Sequence, residues 1–338
     1  MNPQPTPLPR RMQALELNDY QGVAALRLVE KPVPEPQPGQ LLVKMHAAPI
    51  NPSDLLFLSG RYGQRKALPV VPGFEGSGVV VAAGSPLLRR LYLGRKVACG
   101  AAAAGDGTWA EYMCVAATAC MPLRSLDLEQ GAMMLVNPLT AYLMLAQAKR
   151  QGHRAVIHSA AASSLGKMLL RLGLAKQMPI IHVVRRDAQV AELRALGAQY
   201  VLNSSHADFV AQLQEHSHNL RATLALDAVG GHLGGQLLEA MPPGSTLRSY
   251  GALAEEALQL DPRALIFAHK HIDGFWLADA FRPALAPALL RAVWQLPQLV
   301  EQHLYSTVQA RYRLADFQEA LEHYQQHMSD GKVLWQLA

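Results

Sequence analysis

From Ala155 to Leu277 the chain alternates short apolar runs with stretches of helical periodicity, and no other feature restricts its fold as strongly. Ala155–Ser159, Ile180–Val184, Tyr200–Leu202, Leu224–Asp227, Thr246–Tyr250 and Ile272–Leu277 read as strands. Between them Leu165–Lys176 and Ala188–Leu196 carry apolar residues at helical spacing, and Gly197 stands where a helix closes on a left-handed residue. Short apolar strands separated by helices require a parallel sheet covered on both faces. The alternation therefore predicts an α/β fold with a doubly wound parallel sheet.

The first third has a different texture. Leu41–Ala47, Gly78–Val81 and Lys96–Cys99 read as strands divided by turn signals such as Pro38-Gly39 and Leu93-Gly94. Helical periodicity is scarce there, so an antiparallel, barrel-like β domain is expected. Leu128–Lys149 reads as two helices joined at Asn137-Pro138. After Ala278 come helices around Pro287–Leu304 and Leu314–Met328 and a strand at Val333–Leu337, too few for a third domain. They are expected to complete the first one. This gives a β domain of residues 1–125 and 279–338 and a parallel-sheet domain of residues 126–278, comfortable for 338 residues.

Composition narrows the function classes. The formal charge is +5, but no Lys/Arg run is interleaved with aromatics, so nucleic acid is not an expected partner. A small phosphorylated ligand or plain surface solvation accounts for the excess equally well. Three cysteines, Cys99, Cys114 and Cys120, lack paired spacing and point to a reducing, cytoplasmic setting. Met1–Arg11 is proline-rich without an apolar core and reads as a short disordered arm. No stretch approaches the roughly 18 apolar residues of a membrane span.

The turn after the first parallel strand reads Ser159-Ala160-Ala161-Ala162-Ser163-Ser164-Leu165-Gly166. Against the Rossmann pattern G-x-G-x-x-G, Ala161 and Ser163 replace the first two glycines and only Gly166 remains. The residues are small enough for a pyrophosphate to approach, and Ser163 or Ser164 can cap the helix whose N-terminus would hold it; the same turn also serves as plain packing. The second strand ends in Arg185-Arg186, about 20 residues on, where an NAD enzyme places an acid on the ribose hydroxyl. Two guanidiniums there fit a 2′-phosphate, which predicts NADPH, although such a pair also occurs as ordinary surface.

Ile50-Asn51-Pro52-Ser53-Asp54, Gly60-Arg61-Tyr62-Gly63 and Leu68-Pro69-Val70-Val71-Pro72-Gly73-Phe74-Glu75-Gly76 resemble the zinc-lacking medium-chain dehydrogenase/reductases. Val136-Asn137-Pro138-Leu139-Thr140-Ala141-Tyr142 and Phe275-Trp276-Leu277 resemble the 2-enoyl thioester reductases among them. The likeness runs in order from about Met12 to Lys332-Val333-Leu334. It implies a GroES-like β-barrel catalytic domain beside a Rossmann domain. It places Asn137 and Thr140 at the nicotinamide and phosphate end of the cofactor cleft, Ala162, Ser163, Ser164 and Leu165 at the pyrophosphate, and Arg185 and Arg186 at the 2′-phosphate. Tyr250, Gly251, Ala252, Leu253, Phe275, Trp276 and Leu277 would line the nicotinamide, and Lys332 would be a basic residue near the cofactor. Tyr62 aligns with the tyrosine given a catalytic role in enoyl thioester reductases.

Metal chemistry is not expected. Alcohol-oxidising relatives hold zinc with Cys and His, whereas Asn51 or its neighbours stand for the cysteine and Phe74 for the histidine before Glu75. His323 and His327 lie four apart on an expected helix, without a third ligand near in sequence. Without a metal the acceptor must disperse its own developing charge, as an α,β-unsaturated thioester does. Tyr62 would then hydrogen-bond the carbonyl or protonate the α-carbon. The alternatives are an NADPH:quinone reductase and a non-catalytic NADPH-binding protein, the second because alanine is costlier than glycine wherever φ must be positive. A homodimer is expected from the resemblance, paired through the last Rossmann strand, and the partner is otherwise a small-molecule substrate.

Overall fold

The computed structural model describes residues 8–282 and 286–337, the side chains of 286–288 excepted. The strands, in chain order, begin with β1 (Arg11–Leu17), β2 (Leu26–Pro32), β3 (Gln40–Pro49), β4 (Glu75–Ala83) and β5 (Lys96–Gly100). Then come β6 (Tyr112–Ala116), β7 (Cys120–Pro122), β8 (Ala155–His158), β9 (Ile180–Val184) and β10 (Tyr200–Asn203). The last are β11 (Ala222–Asp227), β12 (Thr246–Ser249), β13 (His271–Gly274), β14 (Val308–Tyr312) and β15 (Lys332–Gln336). The chain divides into two compact units, residues 1–136 with 306–338, and 137–305.

The boundaries expected at 125/126 and 278/279 thus fall later in the chain. The Leu128–Ala132 helix packs on β3, β4 and β5, which draws it into the first unit. The Ala286–Leu299 helix packs on the Asn137–Arg150 helix instead of returning to the β unit. The arm reading also extended too far: Arg11 opens β1, where it pairs with Pro32, and Met1–Pro7 lie outside the described residues.

In the first unit a seven-stranded sheet runs β14-β15-β3-β4-β5-β7, with β6 paired to β3, and β1-β2 form a separate ribbon. The pairings are antiparallel except β14 with β15. Its core gathers Leu15, Leu17, Met45, Ile50 and Leu58 around Trp109 and Trp335, whose rings meet edge to face at 5.3 Å. Cys99 and Cys120 are opposed across β5 and β7, a neighbourhood their sequence spacing does not reveal. Burial raises both thiols, Cys120 to about 12, which keeps them protonated.

The second unit is a six-stranded parallel sheet in the order β10-β9-β8-β11-β12-β13. Helices cover both faces: Ser164–Ala175 and Asp187–Ala195 over one, Phe209–Leu220 and Gly231–Ala240 over the other. The Asp187–Ala195 helix closes on Gly197 at φ +94°, its N–H on the Arg194 carbonyl and the Ala198 N–H on that of Leu193. That is the Schellman arrangement expected from the glycine. The strand expected at Ile272–Leu277 stops at Gly274, and Leu277 begins a 3₁₀ turn.

Candidate functional site

Strand order reverses between β8 and β11, and the chain locks the two strand ends together there. Ser159 donates to Asp227 Oδ1 at 2.6 Å and accepts from the Ala228 N–H at 2.9 Å. Asp227 also takes the N–H groups of Val229 and Gly230, each at 2.9 Å. Doubly wound sheets hold nucleotides outside the carboxyl ends of their strands at such a reversal.

The loop that follows β8 is tight. Ser163 caps the Ser164–Ala175 helix, accepting the Gly166 N–H at 3.1 Å. Ser164 and Leu165 occupy the first two helical positions, where N–H groups have no intrahelical acceptor, and this is the cradle an anion needs. A Cβ on Gly166 would stand 2.2 Å from the Ala161 carbonyl oxygen, which accounts for the one glycine kept. Ala161 and Ala162 bury their methyls with Leu170, Val184 and Leu193, so only the backbone of Ala162 is left to face a phosphate. The positive φ falls on Ala160, at +49°, rather than on the two aligned positions Ala161 and Ser163.

β9 ends at Val184, and Arg185 and Arg186 follow it, exposed, at its carboxyl end. The next strand contributes what sequence reasoning missed. Ser205, just past β10, donates to the Arg185 carbonyl at 3.0 Å. Asp187 Oδ1 is held by Asn203 Nδ2 at 2.8 Å and lies 2.9 Å from His206 Nε2. An acid does follow the arginines, but it is engaged by these two neighbours, which leaves a cationic corner. The signal for Ser205 and His206 was their place after the adjacent parallel strand.

Tyr250–Leu253 are pinned to the β11 end by N–H bonds from Tyr250 to the Asp227 carbonyl (2.8 Å) and from Leu253 to that of Ala228 (3.0 Å). A Cβ on Gly251 would come within 2.8 Å of the Ala228 oxygen, so Gly251 and Ala252 stay close to that edge. Behind them His158 Nε2 and the Tyr250 hydroxyl share a hydrogen bond of 2.6 Å. Burial, with His182 adding a smaller repulsion, lowers His158 to about 3, so its ring is neutral. The Phe275 N–H extends the ladder to the Ser249 carbonyl at 2.8 Å, and Trp276 and Leu277 follow it. Asn137 opens the Asn137–Arg150 helix half-buried, with Thr140 buried near its start.

Tyr62 and Lys332 belong to the first unit. Tyr62 sits in the turn after the Pro52–Leu58 helix; its N–H and that of Arg61 both reach the Leu56 carbonyl, at 3.0 and 2.9 Å. Its half-buried ring packs on Phe74 with centroids 4.7 Å apart. Lys332 is buried and donates to Asn51 Oδ1. Asn51 Nδ2 donates to Glu75 Oε1 at 3.1 Å, and Glu75 Oε2 takes the N–H groups of Leu135 and Val136 at 2.9 and 2.8 Å. The Asn51 N–H donates to Asp54 Oδ2 at 2.7 Å. Burial raises both carboxyls, Asp54 to about 7, and lowers the lysine despite the two acids beside it. Lys332, read in sequence as a cofactor contact, is thus committed to a buried network. An amide, an ammonium and two backbone N–H groups surround Glu75, and none of them ligates zinc. Among the described residues no three His, Cys, Asp or Glu gather as a metal site.

This fold and these residues define a two-unit nucleotide-dependent dehydrogenase or reductase. Residues 37–125 match the alcohol dehydrogenase GroES-like domain, and residues 164–294 the zinc-binding dehydrogenase family. The chain is 32% identical to the mitochondrial enoyl-[acyl-carrier-protein] reductase of Rattus norvegicus over 83% of its own length and 76% of that protein. A structure from Mesorhizobium loti, named provisionally as an NADPH:quinone reductase, is 34% identical with TM-score 0.89, covering 98% of this chain and all (100%) of the other. An enoyl thioester reductase mutant from Candida tropicalis shares the fold at TM-score 0.81 and 21% identity, over 96% and 99% of the two chains. The chain belongs to the medium-chain dehydrogenase/reductase superfamily, among its zinc-independent reductases. Among the described residues no helix is long and apolar enough to cross a membrane.

Proposed function

We propose that this chain is an NADPH-dependent reductase of activated carbon–carbon double bonds, with a 2-enoyl thioester as substrate. One observation carries the choice of acceptor. Where the zinc-dependent relatives place a cysteine and a histidine, this chain has Asn51 or a neighbour and Phe74, and Asn51 is bonded to Glu75 and to the Lys332 ammonium. A metal-polarised alkoxide is thereby out of reach, and the acceptor must be one whose charge a hydroxyl can stabilise.

The Ser163-capped helix and the Arg185–Arg186 corner fit a dinucleotide with a 2′-phosphate. When bound, NADPH supplies the hydride that adds to the β-carbon and leaves an enolate. The Tyr62 hydroxyl donates to the carbonyl oxygen as that charge develops, or delivers the proton that the α-carbon takes up. The Leu56 carbonyl holds its turn and Phe74 its ring, which limits how far the hydroxyl wanders. Tyr62→Phe is expected to cut kcat with crotonyl-CoA by about 10²-fold or more, with NADPH affinity kept. Unchanged turnover would remove the hydroxyl from the chemistry.

Quinone reduction stays as the second reading because the Mesorhizobium loti protein, at 34% identity, carries that name. NADPH oxidation by a small quinone but not by crotonyl-CoA would select it. A homodimer completes the proposal. β13 is the outer strand of its sheet and exposed along its length, with Phe267, Ile272 and Trp276 exposed nearby, and an unpaired edge of this kind invites a second copy. Sedimentation at the monomer mass would count against it. Three free thiols fit a reducing compartment, the cytoplasm in this proposal.

A further inference from the structure

The segment around Tyr62 carries charge that reduction of a double bond does not use. From Leu55 to Phe74 there is no Asp or Glu, while Arg61, Arg65 and Lys66 stand within six positions. Arg65 folds back so that Nε and Nη2 donate to the Gly60 carbonyl at 3.2 and 3.1 Å. Its guanidinium lies over the Tyr20 ring at 5.3 Å, and the residue is exposed. Lys66 Nζ donates to the Gly105 carbonyl at 3.0 Å and lies 6.0 Å from the Phe57 ring. Among the described residues neither Arg65 nor Lys66 has a carboxylate at ion-pair distance; burial lowers Lys66 more than its two nearby acids raise it, Asp106, which is bridged to Lys31 at 3.1 Å, and the buried Asp54.

These cations and Tyr62 contact different members of one row of aromatic rings. Tyr20, Phe57, Phe74 and Tyr62 form a row, with successive ring centroids 5.7, 5.8 and 4.7 Å apart. Tyr62 ends the row on one side, and Arg65 and Lys66 lie over its other half. A thioester on a phosphopantetheine arm likewise has a reactive carbonyl at one end and a phosphate at the far end of an extended linker. A quinone has no anionic end at all.

We propose, resting on the enoyl thioester reading above, that Arg65 and Lys66 bind the phosphate end of the pantetheine carrier while Tyr62 meets the thioester. Both are specificity residues: they set KM for substrates that bear the phosphorylated arm and leave the chemical step alone.

The test compares kcat/KM for crotonyl-CoA with that for crotonyl-N-acetylcysteamine, the same thioester without nucleotide or phosphate. In Arg65→Gln/Lys66→Gln, glutamine keeps a donor for the Gly60 carbonyl but removes the charge. The ratio of the two kcat/KM values is expected to fall roughly tenfold or more, through KM, on the scale of charge-assisted hydrogen bonds open to solvent. Added salt should narrow the wild-type ratio toward that of the variant. The charge-keeping Arg65→Lys/Lys66→Arg is expected to hold the ratio near wild type. Equal losses with both substrates would mark a structural role for the pair and overturn the proposal. Wild-type enzyme that reduces neither thioester yet reduces a quinone would instead overturn the thioester reading, and this proposal with it.

Discussion

The carboxyl edge of the parallel sheet and the buried network at Glu75 solve opposite problems with polar groups. The edge leaves backbone donors without an intrahelical acceptor at Ser164 and Leu165, and Arg185 and Arg186 lie exposed beside it. The network closes on itself, as Lys332, Asn51, Glu75 and the Leu135 and Val136 N–H groups satisfy one another. The helix start at the edge is capped locally, Ser163 to Gly166, while the Ser159–Asp227 bond ties strand ends 68 positions apart. The network joins Asn51 to Lys332 across 281 positions. The proposed cofactor site uses the first, and the second ties β15 to the start of the Pro52–Leu58 helix.

The largest expected effect attacks the network. Lys332→Met would leave two carboxyls buried without their cation and should cost about 3–5 kcal/mol of stability, with part restored by adding Glu75→Gln. Chemical denaturation reads it, and a loss no greater than a surface substitution gives would mean the ammonium is dispensable. Next comes the edge. Gly166→Ala forces a Cβ toward the Ala161 carbonyl 2.2 Å away, and overpacking of that kind costs about 1–3 kcal/mol. NADPH affinity, followed by its fluorescence, should fall with it, whereas Lys332→Met should weaken folding before it weakens binding.

A smaller effect separates cofactor choice from folding. Arg185→Ala/Arg186→Ala removes two exposed guanidiniums, so stability should hardly change. The preference for NADPH over NADH should drop by about 2 kcal/mol, the scale of hydrogen bonds to a charged group. An unchanged preference would move 2′-phosphate recognition to Ser205 and His206, which close the same corner.

The same contrast explains what the sequence disclosed. The parallel sheet and the Gly197 helix stop were legible because strand, turn and cap are set by residues a few positions apart. The Ala/Ser loop was legible as a tight turn capped by serine, but not that Ala161 and Ala162 face the core, since that depends on packing against Val184 and Leu193. β1, β2 and β14 were missed because their partners, rather than their own patterns, make them strands. Lys332 was read as a cofactor contact and Asp54 as part of a family segment. Only the fold, by bringing β15 against the start of the Pro52–Leu58 helix, shows that they share one buried site.

That site makes the last prediction, a pH dependence. Asp54 titrates near its ordinary 3.8 in the unfolded chain and at about 7 in the folded one, chiefly because burial penalises its charge. Glu75 and Tyr324, also buried, lie close enough to act with it or feel its charge, and Lys332 opposes the shift. Between those two values the folded protein holds a proton that the unfolded chain has released. Asp54's contribution is therefore fully present below about pH 4 and is lost as pH rises through 7, by no more than about 1.4 kcal/mol per pH unit. Asp54→Asn keeps an acceptor for the Asn51 N–H but has no proton to lose. Plotted against pH, the stability of the wild type relative to this variant should fall from pH 4 to pH 7 and level off above. A flat difference would place the buried proton on Glu75, and the same series on Glu75→Gln would then carry the slope.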